Sequence, residues 1–143
     1  MSTPTDDQLA SLGAAFDAFA RRYKLPDELG SETQLNELDK QTLIYVADHP
    51  GCGPTDIARF LAVPNTTISS ATDRLAKRGL LERHRPEGDR RAVALQLSAD
   101  GKARADAIVA AYRDICRRML EPLSPAERKN FIRMITKIVH HED

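Results

Sequence analysis

Two short helical stretches separated by three residues constrain this 143-residue chain more than any other feature. Pro54 suits the first turn of a helix, where its missing N–H costs nothing, and starts a short helix over residues 55–61. Ala62-Val63-Pro64 then forms a tight connection to a second helix, which begins at Pro64 or Asn65 and ends at Gly79. Ile68, Ala71 (or Thr72) and Leu75 lie on the inner face of that second helix. Helices this close in sequence can both bury their inner faces only by crossing steeply, and Ala58 is small where they would touch. The arrangement is a helix-turn-helix, a geometry that many helix pairs meet by chance, so the residues beyond Gly79 matter.

Residues 81–85 and 92–97 are short extended runs, the second alternating Val93, Leu95 and Leu97 against Ala92, Ala94 and Gln96. Pro86, Glu87, Gly88 and Asp89 lie between them and read as a hairpin tip. Arg83, Arg85, Arg90 and Arg91 stand on its limbs and tip. A helix in a major groove with a basic hairpin beside it reaches base edges and neighbouring backbone together. This is a winged helix-turn-helix.

Helical segments flank it. Leu9, Leu12, Phe16, Phe19 and Tyr23 follow steps of 3, 4, 3 and 4, a helix closed by Pro26 and Gly30. Asn36 is the expected N-cap of the next, with Asp39 near its positive end and Leu43, Ile44, Val46 and Ala47 following before His49, Pro50, Gly51 and Gly53 stop it. Ser98 caps a long helix carrying Ala103, Ala107, Ile108, Ala111, Ile115, Met119 and Leu120, ended by Pro122. Ser124-Pro-Ala-Glu127 is a capping box opening a last helix through Phe131, Ile132, Met134, Ile135, Ile138 and Val139. The expected fold is mainly α with a small β-hairpin. One domain holds a winged helix-turn-helix lobe over 35–97 and a helical dimerisation region over 1–34 and 98–143. Leu9, Phe16, Ile135 and Val139 exceed what one small lobe can cover, which predicts dimerisation without a ligand.

The chain carries 21 Lys+Arg against 21 Asp+Glu, but the balance hides a gradient. Residues 1–50 hold four basic and nine acidic side chains, residues 51–100 eight and six, and residues 101–143 nine and six, giving −5, +2 and +3. From Arg74 to Arg91, Arg74, Lys77, Arg78, Arg83, Arg85, Arg90 and Arg91 outnumber Glu82, Glu87 and Asp89. Such a patch binds phosphates even on a neutral molecule. The 41% apolar share excludes wholesale disorder, and no apolar run approaches the ~20 residues of a membrane span. The first residues, MSTPTDDQLA, lack the basic and apolar regions of a signal peptide, and the two cysteines form no C-x-x-C pair. A cytoplasmic protein with reduced thiols and no membrane partner is expected.

Five stretches together carry a resemblance. Pro54-Thr-Asp-Ile-Ala-Arg-Phe-Leu, Thr67-Ile-Ser, Arg74-Leu-Ala-Lys-Arg-Gly-Leu-Leu-Glu-Arg, Gly88-Asp-Arg-Arg-Ala-Val and Leu97-Ser-Ala-Asp-Gly-Lys resemble the multiple antibiotic resistance regulator (MarR) family of bacterial transcription factors. The match in helix order covers nearly the whole chain. The resemblance implies a sequence-specific regulator that binds double-stranded DNA at a roughly palindromic operator. It also implies a homodimer joined through the first, fifth and sixth helices. Repression would be relieved when a small, often aromatic, anionic molecule binds between the dimer interface and the DNA-binding lobe.

Carried onto this sequence, the resemblance places Arg91 in the minor groove, with Asp89 orienting it and Arg90 on phosphate. A planar, permanently charged guanidinium suits a narrow, negative groove. Arg83 and Arg85 complete the wing set. On the recognition helix, Asn65, Thr66, Thr67, Ser69 and Ser70 occupy the exposed first turns. Asn can pair with adenine in a bidentate way, Ser and Thr hydroxyls discriminate little, and a Thr methyl can touch a thymine methyl. Arg74, Lys77 and Arg78 lie further along, suited to phosphate or to intramolecular pairing with Asp73. Two positions depart from the family pattern. Ser70 stands where relatives often carry Arg, which removes a guanine reader, and Ala62 stands where Gly is common, a left-handed Ala costing about 1 kcal/mol.

No catalytic set is present in the sequence, and no enzyme activity, cofactor or metal is expected. His49, His84, His140 and His141 are scattered, with no Gly-x-Ser-x-Gly elbow and no Gly-rich phosphate loop. Adjacent helical residues such as His140 and His141 point about 100° apart and suit a metal cage poorly. Two alternatives to the ligand-released repressor are a thiol-based redox-sensing regulator of the same fold and a winged-helix module that docks a protein. Cys116, on an apolar helix, is expected in the core or an interface. Cys52, between helices, is expected to be exposed and oxidisable. The resemblance puts sensing cysteines in the first helix, where this chain has none. Tyr23, Tyr45 and Tyr112 fall on helices that line the effector pocket in relatives and are the effector-binding candidates, although the same spacing suits core or interface tyrosines.

Overall fold

A computed structural model describes residues 2–23, 35–85 and 92–142. The chain divides into two compact units, Met1–Gln34 and Leu35–Asp143.

The first unit is one helix, α1 (Asp6–Arg22), which ends at Tyr23. Pro26 and Gly30, expected to close it, lie outside the described residues. Its start is set by a capping box absent from the sequence reading, in which Thr5 Oγ1 accepts from Gln8 N–H at 3.1 Å and Gln8 Oε1 accepts from Thr5 N–H at 2.9 Å. Asp6 and Asp7 at the positive end and Arg21 and Arg22 at the negative end complement the helix dipole. Leu9, Leu12, Phe16 and Phe19 form an apolar face that remains exposed.

The second unit runs α2 (Glu37–Asp48), α3 (Pro54–Leu61), α4 (Asn65–Lys77), β1 (Leu81–His84), β2 (Ala94–Leu97), α5 (Ala99–Leu120) and α6 (Pro125–Val139). Asn36 caps α2 as expected, its Oδ1 accepting from Asp39 N–H at 2.8 Å. Leu43 and Val46 of α2, Ile57 of α3, Ile68 and Leu75 of α4, Leu95 of β2 and Ile108 of α5 converge in one buried cluster. Each fully buried aliphatic side chain contributes about 1.5–3 kcal/mol, so this convergence is the main force assembling the lobe. On α5 the inward residues are Gly101, Ala105 and Ile108, whereas Ala103 and Ala107 face out.

β1 and β2 pair antiparallel with Leu81 opposite Leu97 and Arg83 opposite Leu95. Leu95 turns its backbone away from β1 and bonds the α2–α3 loop instead, accepting from Gly51 N–H and donating to Cys52 O, both at 2.8 Å. The wing is thereby rooted in the helix-turn-helix. Its second anchor is Ser98, whose N–H donates to Leu80 O at 3.1 Å, whose hydroxyl donates to Gly79 O at 2.6 Å, and whose Oγ accepts from Gly101 N–H at 3.0 Å to cap α5. Gly101 lies so close to this junction that an added Cβ would meet Leu80 O at 1.9 Å, which accounts for the glycine in Ser98-Ala-Asp-Gly-Lys.

Candidate nucleic-acid interface

The turn between α3 and α4 is closed by two backbone bonds in the Schellman pattern, Val63 N–H to Ala58 O at 3.0 Å and Ala62 N–H to Arg59 O at 3.3 Å. That pattern needs a left-handed residue, and Ala62 takes it with φ 57° and ψ 47°. At the far end of α4, Gly79 does the same with φ 75°, and Leu80 N–H reaches Leu75 O at 3.0 Å. Left-handed residues therefore end both helices of the pair, Ala62 unfavourably at α3 and Gly79 at α4, while the extended Pro64 sets where the recognition helix begins.

Ile68, Ala71, Thr72 and Leu75 are buried on the inner side of α4. Asn65, Thr66, Ser69 and Ser70 are exposed, and Thr67 is half-buried beside Ile68. Pro64 is the N-cap and supplies no side-chain hydrogen bond, so the Asn65 amide at the first helical position is not consumed in capping. Five of the six residues expected on this helix thus form its polar opening turns.

Arg74 behaves differently. Its guanidinium donates to Asp39 Oδ1 of α2 at 2.9 Å, and Asp39 is only 3% exposed. The intramolecular partner expected for Arg74 was Asp73, but Asp73 is paired instead with Arg83 of β1. A one-residue step along α4 turns a side chain by about 100°, so Asp73 and Arg74 reach different neighbours. Arg83, expected among the wing's DNA contacts, is thus engaged with the recognition helix. Arg85 is exposed at the end of β1, and Asp89, Arg90 and Arg91 lie outside the described residues.

Two features escaped the sequence. The Asp39 to Arg74 pairing spans 35 positions, and no local pattern announces it. Phe60, 68% exposed on α3, lies 5.0 Å from the Tyr45 ring, which stacks on His49 at 4.2 Å. Its only signal was an aromatic residue on the outward side of an amphipathic helix.

The three tyrosines have separate settings. Tyr23 ends α1, with its ring 4.9 Å from Phe19. Tyr45 belongs to the Phe60 and His49 stack. Tyr112 donates to Glu37 Oε1 at 2.9 Å. Burial first, then the hydrogen bond and charge of Glu37, push the Tyr112 phenol up to about 12. Between α2 and α5 lie two open, adjoining cavities of about 440 and 540 Å³ that share Ala47, Asp48 and Asp106. The first is lined by Ile44 and Val109 with Arg113 and Arg117, and neither is lined by Tyr45 or Tyr112.

The cysteine expectations change. Cys52 is half-buried rather than exposed because its segment is bonded to β2, and burial, followed by the charge of Asp56, raises its thiol above the ordinary value. Less thiolate means slower oxidation, the reverse of a sensor's requirement. Cys116 is exposed on α5 and takes no place in the core of this chain. Among the described residues, no group of three or more His, Cys, Asp or Glu side chains is placed to hold a metal ion, and no helix is long and apolar enough to cross a membrane.

Residues 33–92, from the approach to α2 through the wing, match the family model described as the MarR family. Over this lobe the chain is similar to the MarR family. Among curated relatives it is similar to the HTH-type transcriptional repressor NicR of Pseudomonas putida, 25% identical over 126 residues covering 88% of this chain and 80% of that one. It is also similar to the HTH-type transcriptional regulator YwhA of Bacillus subtilis, 26% identical over 127 residues covering 89% and 91%. In three dimensions it resembles FabT of Streptococcus pneumoniae, solved in complex with DNA, with a TM-score of 0.79, 18% identity and 92% of each chain covered. The winged helix-turn-helix assembled here has the fold of these MarR-type regulators.

Proposed function

We propose that this chain is a DNA-binding transcriptional regulator of the MarR type that acts as a homodimeric repressor, with α4 reading a major groove and the wing reaching the adjacent backbone and minor groove of a roughly palindromic site. One observation carries the reading: the opening turns of α4 present Asn65, Thr66, Ser69 and Ser70 outward, uncommitted to capping, directly ahead of a basic two-stranded hairpin. Side chains of this kind can bond base edges, and the arginines of the wing supply phosphate and minor-groove contacts. In this reading Arg85, Arg90 and Arg91 bind the nucleic acid, Asp89 orients Arg91, and Arg83 holds the wing to α4.

The exposed faces of α1 (Leu9, Leu12, Phe16) and α6 (Ile132, Ile135, Ile138) support a partner copy covering both helices. A two-fold pair of recognition helices would then enter major grooves about 34 Å apart. The cavity between α2 and α5, lined by Ile44 and Val109 with Arg113 and Arg117 beside Asp48 and Asp106, is the place in this lobe for a small aromatic anion as the releasing ligand. The α1 candidate Tyr23 and the α2 and α5 candidates Tyr45 and Tyr112 stay outside that lining.

The test is selection of duplexes from a random pool, followed by anisotropy titrations of the enriched sequence across a salt series. The reading predicts enrichment of an inverted repeat and an affinity that falls steeply with salt as counterions are released. Arg91→Ala should weaken binding by about 1–3 kcal/mol. A protein that enriches no sequence and stays monomeric at micromolar concentration would refute it. The same titrations repeated with small aromatic acids address release.

A further inference from the structure

We propose that Asp39 is a positioning residue for DNA recognition, setting the orientation of α4 through Arg74 without touching nucleic acid. The proposal rests on the DNA-binding reading above and concerns how that surface is aimed.

The inner face of α4 packs through Ile68, Ala71 and Leu75, its buried Thr72 hydroxyl bonding within the helix to Ser69 O, and such packing is non-directional, leaving a helix some freedom to slide or rotate. A charge-assisted hydrogen bond is directional. Asp39 is fully inside the lobe, in the first turn of a helix whose N-cap is already satisfied by Asn36, and Arg74 is the side chain that meets its carboxylate. The guanidinium itself remains 43% exposed, so it bridges the interior and the surface. Asn65 lies nine residues before Arg74, about 13 Å along the helix axis. A small rotation allowed at Arg74 therefore displaces the opening turns of α4, where base contacts tolerate only about 0.5 Å of error. The neighbouring Asp73 to Arg83 pair ties α4 to β1, but both partners are exposed, and such pairs constrain little. The interior carboxylate is the stronger reference point.

Electrostatics and positioning make opposite predictions for Asp39→Asn. Removing a carboxylate makes the DNA-binding lobe more positive, so charge alone predicts tighter binding to any duplex. Positioning predicts weaker binding to the duplex that the wild-type protein enriches, by roughly 10-fold or more, comparable to one lost base-pair readout. Binding to a scrambled duplex should hold or strengthen.

The experiment measures the full-length protein on both duplexes across a salt series, using Asp39→Asn, Asp39→Glu, Arg74→Gln and the Asp39→Asn/Arg74→Gln pair. The expected result is lost discrimination in Asp39→Asn and Arg74→Gln, partial recovery in Asp39→Glu, a double variant no worse than either single one, and an unchanged salt slope throughout. Two results overturn the proposal. One is an Asp39→Asn protein that binds the enriched duplex as tightly as wild type or tighter. The other is an Arg74→Gln protein whose salt slope falls by about 0.9, the mark of a lost phosphate contact. Circular dichroism at the assay temperature identifies a single variant that fails to fold. The double variant, which strands no lone charge, then decides the matter by retaining or losing discrimination. Wild-type protein that discriminates between no duplexes refutes the DNA-binding reading, whereas discrimination insensitive to these substitutions refutes only the role of Asp39.

Discussion

Replacing Ala62 with Gly should stabilise the protein, although it removes a methyl group and loosens the unfolded chain. Ala62 holds φ 57° and ψ 47°, a conformation in which the Cβ crowds the following carbonyl at a cost of about 1–2 kcal/mol. Gly removes that crowding. Against it, a glycine adds unfolded-state entropy worth about 0.4–1 kcal/mol. Ala62 is exposed, so no packing is lost with its methyl group, and both bonds closing the turn use backbone atoms that the substitution retains. The difference is a gain of about 0.5–1 kcal/mol, which for a chain of this size raises Tm by roughly 1–4 °C. Urea and thermal unfolding of both proteins should be compared at matched concentration, because an oligomer's apparent stability depends on it. A glycine variant less stable than wild type by 0.5 kcal/mol or so would show that the left-handed strain at this turn is not what the backbone angles imply.

Gly101→Ala tests the opposite kind of glycine. A Cβ 1.9 Å from Leu80 O has no flexible neighbour to displace, so the start of α5 must move, costing about 1–3 kcal/mol or more in denaturant unfolding; an unaffected midpoint would contradict the close approach. Ser98→Ala removes both the α5 cap and the bond to Gly79 O, and should lose about 1–2 kcal/mol, with Ser98→Asp restoring the capping part alone. Tyr112 is held neutral while it donates to Glu37. Because its folded pKa lies near 12 and above its unfolded value of about 10, its stabilising contribution is complete below pH 10 and disappears as pH rises toward 12. Alkaline absorbance titration of wild type against Tyr112→Phe should reveal one missing phenolate step near pH 12, and a step at ordinary pH would sink the assignment. Alkylation of Cys52 in a Cys116→Ser background should run slower at neutral pH than that of a free thiol, and faster modification would revive the redox reading.

Helix positions were legible because they rest on local chemistry. Asn36, Ser98 and Ser124 cap helices where their side chains alone predict it, and Pro54 and Gly79 bracket the helix-turn-helix by the limits each sets on φ. The alternation of Val93, Leu95 and Leu97 was enough to orient β2, since a strand exposes successive side chains on opposite faces. Leu95 shows the limit of that argument. Its buried side chain was expected, yet its backbone bonds to Gly51 and Cys52, which decide that Cys52 is shielded, depend on a loop more than forty residues away.

Charge proved the least legible property at the site. The basic run from Arg74 onward suggested a row of phosphate contacts, and a sequence displays every arginine as equally available. By itself the sequence determined where helices start and stop, which faces are apolar, and that a basic hairpin follows two crossed helices, because those depend on torsional limits, capping and periodicity within a few residues. Only the tertiary structure decided that Arg74 turns inward to Asp39, that Arg83 holds Asp73, and that Gly101 must lack a side chain. Those outcomes depend on distances of a few ångströms between segments brought together by core burial, and Coulombic and steric energies change steeply over that range.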